Sequence, residues 1–467
     1  MADQSYRSFL KKLEDLGELI RFTSQVDPLS NMAAVEWKAF NELGKSSLFT
    51  NIKGHEGWQA CSQILADRRR WAIGLEVEES ELLDTIGNRL KSPVQTVEVG
   101  RDEAPVKEVV LRGDEVDLQD IPSMFTSESD GGRYLASGMA IMKDPDTGIR
   151  NMSVHRQQIM DKDKTGFAMV PRHARLIYEK YCARNAPLPV AMVYGAHPAI
   201  FLSSAYSTSY GTDELTLAGA LLGEGVRTVK CETLDLEVPA EAEMVIEGEV
   251  IPNHTESEGP YGEVTGNYAQ LGKTEIFKAK VITRRKAPIF YALHCGFPVT
   301  DAQATMALGI EVSTKDHLRN VEGGLDLLDV RTITPAGAMM LVIKLRPRVE
   351  GQAKTALMAA LSGPFLHPKI AVAVDEDIDA GDIRQVMWAI TNRVRIDRDM
   401  VMIPNTRVFA LDNSSPIVPG QSSFHRIGTK LMIDATLPAS FSETDRDRLK
   451  RAIPKNFDSV DLKDFLP

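Results

Sequence analysis

Between about residue 116 and residue 300 the chain is dominated by strand signals, and this stretch limits the architecture more than any other. Gly138 to Met142, Asn151 to Met160, Ala242 to Ile251 and Ile276 to Leu293 read as strands, with turns at Asp144-Pro145-Asp146 and Pro252-Asn253. The helix Leu215 to Leu222 interrupts them. That density predicts a barrel-like β domain.

On either side the pattern is α/β. Phe9, Leu10, Leu13 and Leu16 recur at helical spacing, Gly17 can cap, and Glu18 to Phe22 reads as a strand. An acidic helix is expected from Glu76 to Leu83, with Glu78, Glu79 and Glu81 on its solvated face, and strands at Gln95 to Val99 and Val106 to Arg112. Beyond a helical crossing from Thr300 to Leu318, strands at Ala338 to Leu345 and Lys369 to Val374 alternate with helices at Ala353 to Leu361 and Asp382 to Val394. Ile383, Val386, Met387, Ile390 and Val394 form one apolar face of the last of these. The tail begins with a short charged helix, Ser442 to Ile453, stopped by Pro454. Its end, with Phe457, Val460, Leu462, Phe465 and Leu466, is apolar enough to dock on a second subunit. The expected units are 1–115, 116–300, a linker helix over 301–324, an α/β domain over 325–435, and a helix and tail over 436–467.

A chain of 467 residues can bury large cores in two or three domains. The net charge of −11 is spread along it, which excludes an acidic tail or a basic nucleic-acid face. Arg68-Arg69-Arg70 and Arg284-Arg285 are too short and isolated for that role and read as solvated faces. Cys61, Cys182, Cys231 and Cys295 lie far apart with no Cys-x-x-Cys pair, so neither a zinc ribbon nor a disulfide framework is indicated, and a reducing cytosol fits. Lys11, Lys12, Glu14, Asp15 and Glu18 break the apolar character of the N-terminus, against a signal peptide. No run approaches the ~18 apolar residues of a membrane span. The chain reads as a soluble cytoplasmic protein.

Chemistry concentrates in Glu258-Gly259-Pro260-Tyr261-Gly262-Glu263. A regular strand throws residues five apart to opposite faces, so the two carboxylates share a site only if the chain curls between them. Gly259-Pro260 and Gly262 supply that curl. Two carboxyl groups held close do not both ionise cheaply, which makes one a candidate general acid. The alternative is a solvated acidic loop that Glu256 extends. Elsewhere, Asn151, His173 and Glu214 would, if they converge, suit manganese or magnesium better than structural zinc. Arg156, five residues beyond Asn151, has the planar fork that grips a carboxylate.

These residues occur together and in order, and the chain resembles the UbiD family of reversible decarboxylases, which use prenylated FMN with a divalent metal. The resemblance rests on Asn151 to Arg156, Pro171-Arg172-His173, Asp213-Glu214 with Ala218-Gly219, and Glu258 to Glu263. It implies a split β-barrel-like cofactor domain, an α/β oligomerisation domain and a C-terminal helix reaching a neighbouring subunit, within a mixed α/β and β fold. It implies that Asn151, His173 and Glu214 bind Mn2+ and tie it to the cofactor phosphate, and it admits K+ as a further ion. Arg156, Glu258 and Glu263 resemble the catalytic network; Val154, His155, Arg156, Arg172 and His173 would lie along the cofactor; Lys354 resembles a phosphate-contacting lysine. Arg172 departs from relatives that carry an uncharged residue there.

The implied activity is non-oxidative decarboxylation of an aromatic, heteroaromatic or α,β-unsaturated acid, with CO2 as product and a flavin prenyltransferase as cofactor supplier. No nucleic acid or membrane partner is expected, and a homodimer or larger homo-oligomer is. Met169 and Val264 would offer apolar walls to the substrate, and His294 a hydrogen bond to a ring substituent. Two rivals stand beside this reading: a metal-dependent hydrolase, active without flavin, and a flavin carrier or assembly subunit, which would release no CO2.

Overall fold

The computed structural model describes residues 3–465 apart from 170–171, 270–271, 322–323 and 422–423. Pro171 and Leu466, singled out above, lie outside the described residues. Six strands form the centre: β1 (Tyr134–Lys143), β2 (Arg150–Asp161), β3 (Lys164–Phe167), β4 (Leu188–Tyr194), β5 (Met244–Glu258) and β6 (Gly272–Arg284). Their order is β5-β4-β1-β2-β3-β6, every pairing is antiparallel, and β6 pairs back onto β5 from Met244↔Arg284 to Glu258↔Gly272. The sheet is thereby a closed barrel, which leaves these strands no free edge.

Strand alternation explains how the barrel sits in the molecule. Leu188, Val190, Met192 and Tyr194 join one core cluster while Ala191 and Val193 join another, and Met244 and Ile246 part from Val245 in the same way. Both faces are covered. The strands therefore read as nearly continuous apolar runs.

An N-terminal sheet orders strands Leu19–Phe22, Ser46–Phe49, Gln59–Ser62 and Ile289–Tyr291, so the chain returns to this unit after the barrel. The helix Asp301–Leu318, capped by Thr300 and Gln303, then leads to a five-stranded C-terminal sheet. That sheet runs Leu327–Thr332, Met340–Leu345, Ile370–Val374, Arg426–Asp434, Met400–Val408, with parallel pairs at its centre. No helix among the described residues is long and apolar enough to cross a membrane.

Several expectations are corrected. Among the described residues the span 116–300 holds three helices of eight or more residues: His173–Ala183 and Pro198–Ala205 accompany Glu214–Leu222. Pro198–Ala205 has seven buried residues and so lacks the polar face that would reveal a helical period. Glu76 takes φ 55° and ends the helix Arg68–Leu75, and a new helix, Leu82–Arg89, replaces the acidic one expected over Glu76 to Leu83. Ile276 to Leu293 is two strands in two sheets, separated at Pro288, which has no N–H to donate. Leu16 follows the helix Tyr6–Asp15 and is 56% exposed. The C-terminal helix is only Glu443–Arg448, and Phe457, Val460, Leu462 and Phe465 beyond it are exposed.

Of the arginine runs only Arg69 is exposed; Arg68, Arg70, Arg284 and Arg285 are buried or half-buried and do not form solvated faces. Arg70 is 2% exposed and donates to the Ser46 hydroxyl, the Gly44 carbonyl, Glu18 and Asp67. Arg68 pairs with Glu311 at 2.7 Å, and Arg285 pairs with Glu241 at 2.7 Å. Buried carboxylates draw these cations in, because an isolated buried charge is costly.

Candidate active site

β5 ends at Glu258, the chain turns through Gly259-Pro260, and a two-residue strand, Tyr261–Gly262, leads to Glu263. The turn is fixed from several sides. Gly259 N–H donates to Gln158 Oε1 at 3.1 Å, Gly131 N–H to the Pro260 carbonyl at 2.7 Å, and Gly262 N–H to Asp130 Oδ1 at 2.8 Å. A Cβ on Gly131 would stand 2.3 Å from the Gly259 carbonyl oxygen, so only glycine permits this approach.

The curl brings both carboxylates to one guanidinium. Arg156, on β2, donates from Nε to Glu258 Oε1 at 3.0 Å and from Nη2 to Glu258 Oε2 at 3.2 Å, while Nη1 pairs with Glu263 Oε1. Its Cζ lies 4.9 Å from the centroid of the Tyr261 ring, which packs against Tyr134 with centroids 4.2 Å apart and planes tilted by 42°. Glu258 and Glu263 are both buried. Burial opposes charge on Arg156, but the Glu258 carboxylate outweighs it and holds the guanidinium charged. Burial, reinforced by Glu258, pushes the Tyr134 phenol well above its ordinary range. A solvated acidic loop is excluded.

On the same strand Asn151, Ser153 and His155 form a polar row. Ser153 Oγ lies 2.9 Å from His155 Nε2 and donates to Asn151 Oδ1 at 3.4 Å. Asn151 Nδ2 donates to Glu214 Oε1 at 3.0 Å, and the Met152 N–H donates to Glu214 Oε2 at 2.7 Å. Asp213 caps the helix that Glu214 opens, accepting from Leu215 N–H at 3.1 Å. Burial raises the Glu214 carboxyl to about 7. His173, first residue of its own helix, borders a small pocket with Asn151, Arg150, Asp144 and Tyr210. Burial and the neighbouring Arg172 depress its imidazole.

Among the described residues no group of three His, Cys, Asp or Glu side chains is placed to hold a metal. Asn151 connects the other two, bonding Glu214 through its amide and bordering the same small pocket as His173, and the three side chains together would offer a mixed oxygen and nitrogen set. A buried carboxylate pushed up to about 7 is stabilised in its charged form by a cation, so this set fits a hard or borderline divalent ion.

The remaining expected residues are placed as follows. Val154 is half-buried against the core. His155 is buried, stacks 4.8 Å from Phe167, has Nδ1 3.0 Å from the Ala168 carbonyl, and is lowered to about 4 by burial. Arg172 donates to the Ser207 hydroxyl at 3.4 Å and sits 5.8 Å from the Phe365 ring, with no carboxylate partner among the described residues. Met169 and Val264 are buried. Lys354 stands in the C-terminal domain, where its ammonium donates to the Arg398 carbonyl at 2.8 Å; none of its contacts among the described residues joins it to Arg156 or Glu214. His294 is buried and paired through Nδ1 with Glu36.

Sequence reasoning missed Tyr134, Asp130, Gln158 and Glu36. Glu36 left one signal, since it lies in the helix stripe Met32, Ala33, Glu36, Ala39, which is otherwise apolar and buried.

The fold belongs to a known class. Residues 10–90, 97–298 and 304–435 match the N-terminal, Rift-related and C-terminal domains of the 3-octaprenyl-4-hydroxybenzoate carboxy-lyase family. A phenolic acid decarboxylase of Bacillus subtilis (strain 168) is 32% identical over 454 residues, covering 94% of each chain. The UbiD-class enzyme HmfF from Pelotomaculum thermopropionicum, in complex with FMN, superposes with a TM-score of 0.89 at 31% identity, over 99% of this chain and 100% of that one. An evolved dimeric form of HmfF in complex with prFMN gives 0.86 at 30% identity over the same shares. The chain belongs to the UbiD family of carboxy-lyases.

Proposed function

We propose that this chain catalyses the reversible non-oxidative decarboxylation of an aromatic acid, with a phenolic acid as the first choice, using prenylated FMN and Mn2+. The observation that carries the reading is Arg156 held between Glu258 and Glu263. A guanidinium has five N–H donors, and three are used by the two glutamates, so one remains on each of Nη1 and Nη2. That pair can grip the substrate carboxylate bidentately. Met169 and Val264 would supply apolar walls for a flat ring.

Prenylated FMN supplies the electron sink for the carbanion density that loss of CO2 leaves on carbon. Asn151, His173 and Glu214 would hold the metal, and Arg172, which has no carboxylate partner among the described residues, would offer the flavin phosphate a cation. Val154 and His155 would lie along the flavin, and Lys354 would reach the phosphate if the C-terminal domain approaches. Arg156 orients the carboxylate. After CO2 has left, Glu263 would deliver a proton to the ring carbon, with Glu258 and Arg156 tuning its acidity. The balance is one carboxylate and one proton converted to one C–H bond and CO2.

The dimeric HmfF form and the apolar C-terminal tail support a homodimer or larger assembly. A cytoplasmic enzyme supplied by a flavin prenyltransferase completes the reading. The test is the absorption spectrum and mass of the bound cofactor, followed by a panel of acids with labelled bicarbonate. Label exchange into an aromatic acid is expected; activity that persists without flavin would establish the hydrolase instead.

A further inference from the structure

The turn that opens with Glu263 is closed on itself. The Glu263 N–H donates to the Asn267 carbonyl at 2.9 Å and the Gly266 N–H to the Glu263 carbonyl at 2.8 Å, so these residues hold together as one piece. Among the described residues, a single hydrogen bond reaches the backbone between Glu263 and Asn267 from outside: Gln303 Nε2 donates to the Val264 carbonyl at 2.9 Å. The same nitrogen donates to the Gly296 carbonyl at 2.8 Å, in the segment between the strand Ile289–Tyr291 and the helix Asp301–Leu318.

Gln303 is itself firmly anchored. It is 0% exposed and stands in the first turn of an 18-residue helix. Its Oε1 accepts the Thr300 N–H at 2.7 Å and pairs with the Thr300 hydroxyl, so both lone pairs and both N–H donors of the amide are used. A flipped amide would set an oxygen against two carbonyl oxygens, which leaves one orientation. The start of the helix is held in turn by Asp301, which accepts the Gln63 N–H at 3.0 Å and the Tyr291 hydroxyl at 2.8 Å. Arg156 holds the Glu263 carboxylate and Gln303 the peptide that follows it, so side chain and backbone are fixed independently.

We propose that Gln303 is a positioning residue for proton delivery: by bracketing the Val264 and Gly296 carbonyls it sets the distance from which the Glu263 carboxyl protonates the ring carbon. The proposal rests on the reading of Glu263 as the proton donor and adds what keeps that donor in register. Proton transfer needs heavy atoms about 2.6–3.2 Å apart, and a misplacement of about 1 Å costs on the order of 10²-fold. Breaking the bond to CO2 does not call on the Glu263 proton. Loss of the bracket therefore slows the step that makes the C–H bond and spares the one that breaks the C–C bond.

The test uses the full flavin-loaded chain and two exchange reactions. Label from 13C-bicarbonate enters 4-hydroxybenzoate by breaking and remaking the C–C bond, whereas phenol in D2O gains deuterium when one deuteron passes from the Glu263 carboxyl to the ring carbon and the ring proton returns to the carboxylate. Gln303→Glu keeps the side-chain length and the acceptor that caps the helix but removes both donors. Ring exchange should fall at least tenfold, while label exchange stays within threefold and flavin content within twofold of the unaltered chain. A parallel fall of both exchanges, loss of flavin, or ring exchange within threefold overturns the proposal, because a merely structural glutamine would lower both reactions or neither. Thr300→Val replaces the hydroxyl that holds Oε1 and leaves the N–H in place. This milder variant should lower ring exchange at least twofold relative to label exchange, and an unchanged ratio overturns the proposal even if Gln303→Glu does not fold. Glu263→Gln separates the two readings: ring exchange that survives it refutes Glu263 as the donor, whereas ring exchange lost there but kept in Gln303→Glu refutes the bracket alone.

Discussion

Removing the Arg156 side chain as Arg156→Met tests the clamp most directly. The Arg156 and Glu258 side chains are 11% and 1% exposed, and two hydrogen bonds of 3.0 and 3.2 Å join them. Without the guanidinium, Glu258 must stay buried and uncompensated or take up a proton, a situation that costs about 3–5 kcal/mol. Glu258→Gln removes the buried anion instead, and Arg156 keeps Glu263, so the loss should be about 1–2 kcal/mol. In the double variant the stranded charge at position 258 is gone, although Glu263 has lost its arginine. Its destabilisation should fall short of the sum of the singles by about 2 kcal/mol. Urea unfolding of each variant, followed by tryptophan fluorescence and extrapolated to water, gives the four numbers. Decarboxylation should fall by about 10²-fold or more in Arg156→Met, because the acid loses its orientation. Singles that add to within ~0.5 kcal/mol, or an Arg156→Met loss under ~1 kcal/mol, would refute the reasoning, since neither fits a desolvated, coupled pair.

Other outcomes follow from the same geometry. Glu263→Gln should keep fold and flavin but lose more than ~10²-fold in turnover, the lower range for a positioned general acid; near-normal solvent deuterium incorporation into product would assign the proton elsewhere. Glu214→Ala should lose metal and flavin together, and unchanged contents of both, measured by elemental analysis and flavin absorbance, would remove Glu214 from the site. Val264→Phe should penalise bicyclic acids more than single-ring acids in a substrate panel, and unchanged selectivity would take Val264 out of the pocket.

The sequence by itself determined part of the local structure. Strand alternation placed Asn151 to Met160 almost where β2 runs, Arg150–Asp161, and the Gly-Pro-x-Gly spacing between Glu258 and Glu263 required the curl that the chain makes. These follow from period-two geometry and from the backbone preferences of glycine and proline, which act over a few residues. His173 and Glu214 were legible only through the family resemblance, because one imidazole and one capping-position carboxylate carry no pattern of their own. Only the tertiary structure decided which charges are buried and what each one meets. Arg70 looked like part of a solvated run and is enclosed by Glu18, Asp67, Ser46 and Gly44, while Glu36 and His294, 258 residues apart, form one pair. The cost of a buried charge depends on every group packed around it, and those groups arrive from distant elements only when the barrel closes and the N-terminal sheet takes up the strand Ile289–Tyr291.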